Sequence, residues 1–197
     1  MALKAMLFDM DGTLTRPRLD FAAIKREIGI PTTSFILEVM ETMTPTERER
    51  AMAIVERHEQ EAAERSELND GVVPLLAELG RRGILTGIIT RNSRRSCETV
   101  MTRHELAFSV LVCRECARAK PSPDGILLAL QRLRIDAASA VYVGDHLIDL
   151  QAGHAAGART ILVTNGHDKG FHVEADFVVA GPGEIVGLLD TLQGTAR

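Results

Sequence analysis

Apolar runs of strand length recur along the chain, with helical stretches between them. Ala5-Met6-Leu7-Phe8 comes first, then Ile84-Leu85-Thr86-Gly87-Ile88-Ile89, then Ser109 to Val112. Ala140-Val141-Tyr142-Val143, Thr160-Ile161-Leu162-Val163 and a weaker Phe177-Val178-Val179 follow. Helical patterns fall at Val72 to Arg82, Arg94 to His104, Asp124 to Leu133 and Leu147 to Ala156. Strands that are apolar throughout must be buried on both faces. Alternating with helices, they predict an α/β fold built on a parallel sheet covered on both sides. Gly83, Gly157 and Gly166 stand where helices or strands should end, and Ser122-Pro123-Asp124 has the form of a helix start.

One region breaks the alternation. From Thr15 to about Asn69 there is no convincing strand, and charge and helix formers dominate. Thr44-Pro45-Thr46-Glu47 is a helix opening, with Pro allowed in the first turn. Ala51, Val55, His58 and Ala62 then recur at helical spacing. His58 on that stripe reads as a packed or half-exposed histidine, since no partner ligand sits at helical spacing. We expect a small helical insertion over residues 15–70, between a first strand ending by residue 14 and a core resuming at 71 and running to 197. It should sit above the C-terminal edge of the strands, where open α/β sheets bind ligands.

Composition narrows the function without naming it. The chain has 197 residues, 45% hydrophobic and 25% charged, as a globular protein does. A formal charge of -4 gives no reason to expect nucleic acid or an anionic membrane as partner. No apolar stretch reaches the length of a membrane span, and no leader pattern opens the chain, so the expected location is the cytoplasm. The charged outer face of the insertion favours a monomer. Three cysteines, Cys97, Cys113 and Cys116, exclude a full disulfide framework. Cys113 and Cys116 have Cys-x-x-Cys spacing, but zinc would need a second pair, and a redox dithiol would normally open a helix. They read as two small residues leaving a buried strand.

The chemistry gathers after the strands. Asp9 and Asp11, two residues apart at a strand end, can point toward one site, and Gly12 permits the turn that follows. Paired carboxylates there suit a hard cation such as Mg²⁺; the alternative is an ordinary Asp-Gly turn with both acids solvated. After the second strand come Thr90-Arg91-Asn92, a hydroxyl and exposed N–H groups near a helix start, suited to phosphate oxygens. Lys120-Pro121 follows the third strand, and Gly144-Asp145-His146-Leu147-Ile148-Asp149 the fourth. Singly, Thr90 reads equally as a helix cap, Lys120 as a surface lysine and Asp149 as a helix N-terminal acid. Their ordered recurrence implies a divalent cation, a phosphate and a countercharge at one edge.

Asp9-Met10-Asp11-Gly12-Thr13-Leu14, Thr90, Lys120-Pro121 and Gly144-Asp145-x-x-x-Asp149 resemble, in order, the four motifs of the haloacid dehalogenase-like hydrolase superfamily. The resemblance spans nearly the whole chain. It implies a Rossmann-like core with a small helical cap after the first motif, as in the phosphoglycolate phosphatase-like branch, and a Mg²⁺-dependent phosphatase acting on a small phosphorylated metabolite. Asp9 would be the nucleophile that forms an aspartyl-phosphate. Asp11 would protonate the leaving alcohol and then activate water. Thr90 and Lys120 would hold the phosphoryl group. Asp9, the main-chain carbonyl of Asp11, and Asp145 would bind Mg²⁺, with Asp149 in support. The acid at Asp11 argues against dehalogenation, which has no leaving alcohol to protonate.

The likeness thins after the first motif. Thr15-Arg16-Pro17-Arg18-Leu19-Asp20-Phe21 replaces the acid and serine usual in the phosphoglycolate phosphatase branch, and the insertion looks shorter, so phosphoglycolate is a doubtful substrate. Arg16 and Arg18 fit either an anion contact or a basic hinge at the base of the insertion. Arg91 and His146 are candidates for the pocket wall, His146 as a rim residue, and Gly166-His167-Asp168 for the rim, while Asn92 stays with Thr90 as a phosphate-binding candidate. A sugar-phosphate mutase using the same Asp9 and Asp11, or a non-catalytic binding protein of the same fold, remains as an alternative.

Overall fold

A computed structural model describes residues 2–194. In chain order the elements are β1 (Ala5–Phe8), α1 (Phe21–Ile28), α2 (Ile36–Glu41), α3 (Pro45–Glu64), α4 (Val72–Arg81), β2 (Leu85–Ile89), α5 (Arg94–Arg103), β3 (Val110–Val112), α6 (Asp124–Leu133), β4 (Ala140–Gly144), α7 (Leu147–Ala155), β5 (Arg159–Val163), β6 (Phe177–Val179) and α8 (Ile185–Leu192), with three short 3-10 turns between. All strand pairings are parallel, and the sheet order is β3-β2-β1-β4-β5-β6. This is a Rossmann-like, doubly wound α/β sheet.

Strand periodicity of two assigns the two faces. Met6 and Phe8 of β1, with Val141 and Val143 of β4, pack on one side against Leu75 and Leu79 of α4, Val100 of α5 and Leu189 of α8. Ala5 and Leu7, with Ala140 and Tyr142, face Ile126 and Ala129 of α6 and Ala152 of α7. Gly87 lies where a Cβ would meet Val110 Cγ1 at 2.4 Å, so β2 and its neighbours pack that closely only around glycine. Helix α8 also packs on the sheet, although the apolar strand runs give no warning of it.

Between β1 and α4 the chain forms α1, α2 and α3, which enclose a cluster of their own around Ile24, Met40, Ala51 and Val55. Thr44 and Glu47 form a reciprocal cap at the start of α3, and Asp20 caps α1. The buried stripe of α3 is Ala51, Val55, Glu59 and Ala63, shifted by one residue after Val55 from the sequence pattern. His58 is half-buried, its Nε2 2.9 Å from Glu27. Hydropathy places a glutamate outside, but Glu59 turns inward because Arg114 meets it there. Among the described residues, no helix is long and apolar enough to cross a membrane.

Leu75 is fully buried in the larger core. Leu75→Ala should lower the unfolding free energy by about 2–5 kcal/mol. The check is a lower urea midpoint with an unchanged slope.

Candidate active site

β1 lies at the point where strand order reverses, with β2 and β3 on one side and β4, β5 and β6 on the other. Open parallel sheets form a ligand crevice at that place, beyond the strand C-termini. Asp9 continues the sheet by donating its N–H to the Val143 carbonyl at 2.8 Å. The chain then turns back tightly, Leu14 and Thr15 N–H both reaching the Met10 carbonyl at 2.8 and 2.9 Å. At Gly12, φ is +80° and an added Cβ would lie 2.5 Å from Asp145 Oδ2. Glycine therefore lets this loop lie against the carboxylate delivered by β4. The side-chain amides of Asn165 and Asn69 grip the Gly12 carbonyl from outside, at 2.7 and 3.2 Å.

Lys120 is the centre of the cluster. Its buried ammonium donates to Asp9 Oδ1 at 2.5 Å, Asp149 Oδ1 at 2.6 Å and Tyr142 Oη at 2.9 Å, with the Ile89 carbonyl at 3.3 Å. Burial works to neutralise the lysine, but Asp149 and Asp9 outweigh it and hold its pKa well above the ordinary value. Asp149 is fixed in turn by accepting the His146 N–H at 3.0 Å within the reciprocal cap of α7. Gly144 permits that approach, since a Cβ there would lie 2.2 Å from Asp149 Cβ.

One lysine does not neutralise this edge. Burial pushes the Asp9 carboxyl up to about 8, with Lys120 opposing and Asp149 and Asp145 adding to the rise. Asp145 is raised by burial and by Asp149, against a 3.1 Å contact with Lys169. Asp9, Asp145 and Asp149 offer oxygens that all lie within 4.8 Å of one another. A buried set of hard oxygen donors with an excess of negative charge fits a divalent cation. The Asp11 carboxylate stands apart, accepting from Asn92 Nδ2 and, at 3.3 Å, from Thr15 Oγ1. Burial raises its pKa against both hydrogen bonds.

Thr90 does not cap the helix after β2. Ser93 does so, accepting from Ser96 N–H, and leaves the Thr90 hydroxyl at the strand end. The Asn92 N–H donates to Thr90 Oγ1 at 3.2 Å. Arg91 is committed elsewhere: its guanidinium pairs with both oxygens of Glu38 at 2.8 Å, lies over the Phe35 ring and reaches the Lys120 carbonyl at 3.3 Å. These groups open onto a cavity of about 360 Å³. Asp9, Asp11, Thr90, Lys120 and Asp145 line it from the strand ends; Leu19, Phe21, Phe35 and Ile36 line it from the insertion side.

Asp9, Asp11, Thr90, Arg91, Asn92, Lys120, Asp145 and Asp149 thus line one cavity, but their surroundings hold other residues without a signal of that kind in the sequence. Tyr142 is the chain's one tyrosine, on a fully buried strand where a hydroxyl must find a partner, and that was its signal. Asn69, Asn165, Lys169 and Glu59 carried none. Glu59 is buried, accepts from Arg114 and from the Ser93 N–H at 3.0 Å, and is raised by burial against both. Arg16 and Arg18 pair with Asp70 and Glu67, where the chain re-enters the core, and not with the carboxylate edge. His146 caps α7 while lining the cavity, its ring 6.0 Å from that of Phe171. Asp168 pairs with His172 at 2.7 Å.

The family profile for haloacid dehalogenase-like hydrolases matches residues 6–163. The N-acetylmuramic acid 6-phosphate phosphatase of Pseudomonas aeruginosa is 32% identical over 96% of this chain and 96% of its own length. The enzyme of the same name from Pseudomonas putida is also 32% identical, over 97% of this chain and 98% of its own. A solved hydrolase from Pseudomonas syringae superposes with a TM-score of 0.79 at 21% identity, covering 95% of this chain and 98% of that one, a likeness of fold.

The raised Asp9 carboxyl has a stability consequence. Between its ordinary value of 3.8 and about 8, the folded state holds a proton that the unfolded state releases. Folding is therefore favoured at low pH and loses this contribution as pH rises toward 8. In EDTA, wild type should lose more stability than Asp9→Asn between pH 6 and pH 8.5, measured by urea unfolding.

Proposed function

The chain belongs to the haloacid dehalogenase-like hydrolases and is a phosphoric monoester hydrolase, and from that we propose that it cleaves the phosphate of a small phosphorylated sugar through a covalent intermediate on Asp9. The observation that carries this reading is Lys120 Nζ held between Asp9 Oδ1 and Asp149 Oδ1 at 2.5 and 2.6 Å. It leaves the second Asp9 oxygen free of the lysine and keeps a fixed positive charge beside the reacting centre.

A phosphate monoester repels an anionic nucleophile, so the edge must neutralise charge before Asp9 can approach. Mg²⁺ fits the oxygen set of Asp9 and Asp145 with the Asp11 carbonyl and Asp149 in support, and when bound it would supply Lewis-acid charge neutralisation. The charge of Lys120 and the Thr90 hydroxyl at the end of β2 hold the phosphoryl group. Asp9 attacks phosphorus as the ester oxygen departs, dividing one hard hydrolysis into two displacements. Asp11 is suited to both proton transfers. Burial raises its pKa and so favours the protonated form that can give a proton to the leaving alcohol, and the carboxylate left behind takes one from the attacking water. Arg91, paired with Glu38, orients the wall and is not a free phosphate ligand in this arrangement.

The substrate class follows from the cavity and the relatives. About 360 Å³ admits a small phosphorylated sugar, and the apolar wall suits a substituted sugar better than a two-carbon acid. The two relatives named for N-acetylmuramic acid 6-phosphate point to the same class.

Phosphate release should be measured from N-acetylmuramic acid 6-phosphate, unsubstituted sugar phosphates, phosphoglycolate and p-nitrophenyl phosphate, with Mg²⁺ and with EDTA. A substituted sugar phosphate should be the best substrate, and EDTA should abolish turnover. Asp9→Asn should lower kcat by roughly 10⁴-fold or more, and Asp11→Asn by about 10²–10⁴-fold. Conversion of a sugar phosphate to its isomer without free phosphate would contradict the reading.

A further inference from the structure

Cys113 and Cys116 stand on the turn that leaves β3, their sulfurs 3.2 Å apart. The turn is closed by the Cys116 N–H donating to the Cys113 carbonyl at 2.9 Å. All three thiols of the chain are free; Cys113 and Cys97 are buried, while Cys116 is partly exposed. Among the described residues, no third ligand atom of His, Cys, Asp or Glu comes close enough to complete a metal site with the pair. Arg94 Nη2 lies 3.6 Å from Cys116 Sγ. A partly exposed thiol beside a cation, with a second thiol in contact behind it, is the arrangement of a reactive dithiol.

The same turn is tied to the catalytic edge. Arg114, between the two cysteines, donates its N–H to the Asn92 carbonyl at 3.0 Å. Its guanidinium holds the Arg91 carbonyl at 3.1 Å and the buried Glu59 of α3. Glu115 accepts the Arg94 N–H at 3.2 Å. Forming a bond between the sulfurs draws them inside contact distance, and the turn carrying Arg114 must take up the shift. The segment it grips holds Asn92, whose amide bonds Asp11.

We propose that Cys113 and Cys116 form a reversible disulfide with a low-molecular-weight disulfide as oxidant, and that closing it slows the enzyme by displacing the Arg91–Asn92 segment. The second half rests on the phosphatase reading. Cys116 is the first to react: burial acts against its ionisation, but hydrogen bonds within the turn and the Arg94 guanidinium bring its pKa below the ordinary value. Burial pushes Cys113 up. The Cys116 thiolate, its proton given to solvent, attacks one sulfur of the small disulfide and expels the other half as a thiol. Cys113 then loses its proton, attacks Cys116 Sγ and expels the second thiol. Two protein thiols are oxidised by two electrons and one small disulfide is reduced by two. Intracellular disulfides of this kind are transient and redox-sensing.

The test treats the reduced full-length protein with oxidised glutathione and removes the reagent. Intact mass, free-thiol count, hydrogen exchange over residues 90–94 and phosphate release are then followed. The expected product has lost two hydrogens and two thiols, exchanges faster at 90–94, and turns over about tenfold to a hundredfold more slowly. Dithiothreitol restores all four. Cys97→Ser should behave as wild type, and Cys116→Ser should keep its mass and rate. An unchanged mass, a stable glutathione adduct, or a disulfide that leaves exchange at 90–94 unaltered would overturn the proposal. So would Cys116→Ser losing as much rate as wild type. If the reduced protein releases no phosphate from any ester, the phosphatase reading fails by itself, while mass and exchange still decide the disulfide.

Discussion

A buried ammonium ion bridging two carboxylates is the constraint on which this structure turns. Lys120, Asp9 and Asp149 are each costly to desolvate alone, and their attraction offsets that cost only when the geometry is close and the remaining donors are used. Tyr142 and the Ile89 carbonyl take up what the carboxylates leave, so the cation is satisfied on every side. Two neighbouring strands, β1 and β4, must end in register for this to happen. Asp9 follows β1, Asp149 opens the helix after β4, and Tyr142 lies within β4, so any slip of one strand would separate the charges. Gly144 and Gly12 serve the same end, since a side chain at either would occupy the space of a carboxylate.

That compensation is deliberately incomplete in its effect. Asp9 and Asp145 stay raised even with Lys120 and Lys169 in place, because burial and mutual repulsion exceed what two lysines supply. An edge with unspent negative charge in a crevice is prepared for a cation, and with it for an anionic substrate that the carboxylates alone would repel. The insertion completes the crevice with apolar walls and is tied to the core by charge. Arg16–Asp70 and Arg18–Glu67 are largely exposed and contribute little to stability. Arg114–Glu59 is buried, and it joins α3 to the backbone of the Thr90–Ser93 segment. The insertion and the carboxylate edge are therefore coupled through two arginines, Arg91 with Glu38 and Arg114 with Glu59, and Arg114 sits between two thiols.

The sheet was legible because its strands are buried on both faces and so read as unbroken apolar runs, Ala140 to Val143 most plainly. The candidate site was legible because a parallel sheet sends residues after each strand to one edge, which makes Asp9, Thr90, Lys120 and Asp145 neighbours by topology alone. Other features depend on contacts between segments far apart in sequence. Glu59 faces inward because Arg114, 55 positions later, meets it, and a hydropathy stripe through His58 and Ala62 could not anticipate that. Asn69 and Asn165 support the Gly12 carbonyl across 57 and 153 positions. The cysteines looked like small residues leaving a strand; only the turn at their backs brings the sulfurs into contact. Helix α8 follows the weakest strand, and the short helix α2, which has no side-chain cap, is held by the cluster it shares with α1 and α3.

We propose that Asp9, held against Lys120, takes the phosphoryl group covalently. The most direct test is rapid acid quenching of wild-type enzyme during turnover of a substrate carrying radiolabelled phosphate. Label should appear on the protein, survive acid, be released by hydroxylamine as an acyl phosphate is, and map to the peptide containing Asp9. Turnover at full rate with no acid-stable label at any quench time, or label on a different residue, would contradict it.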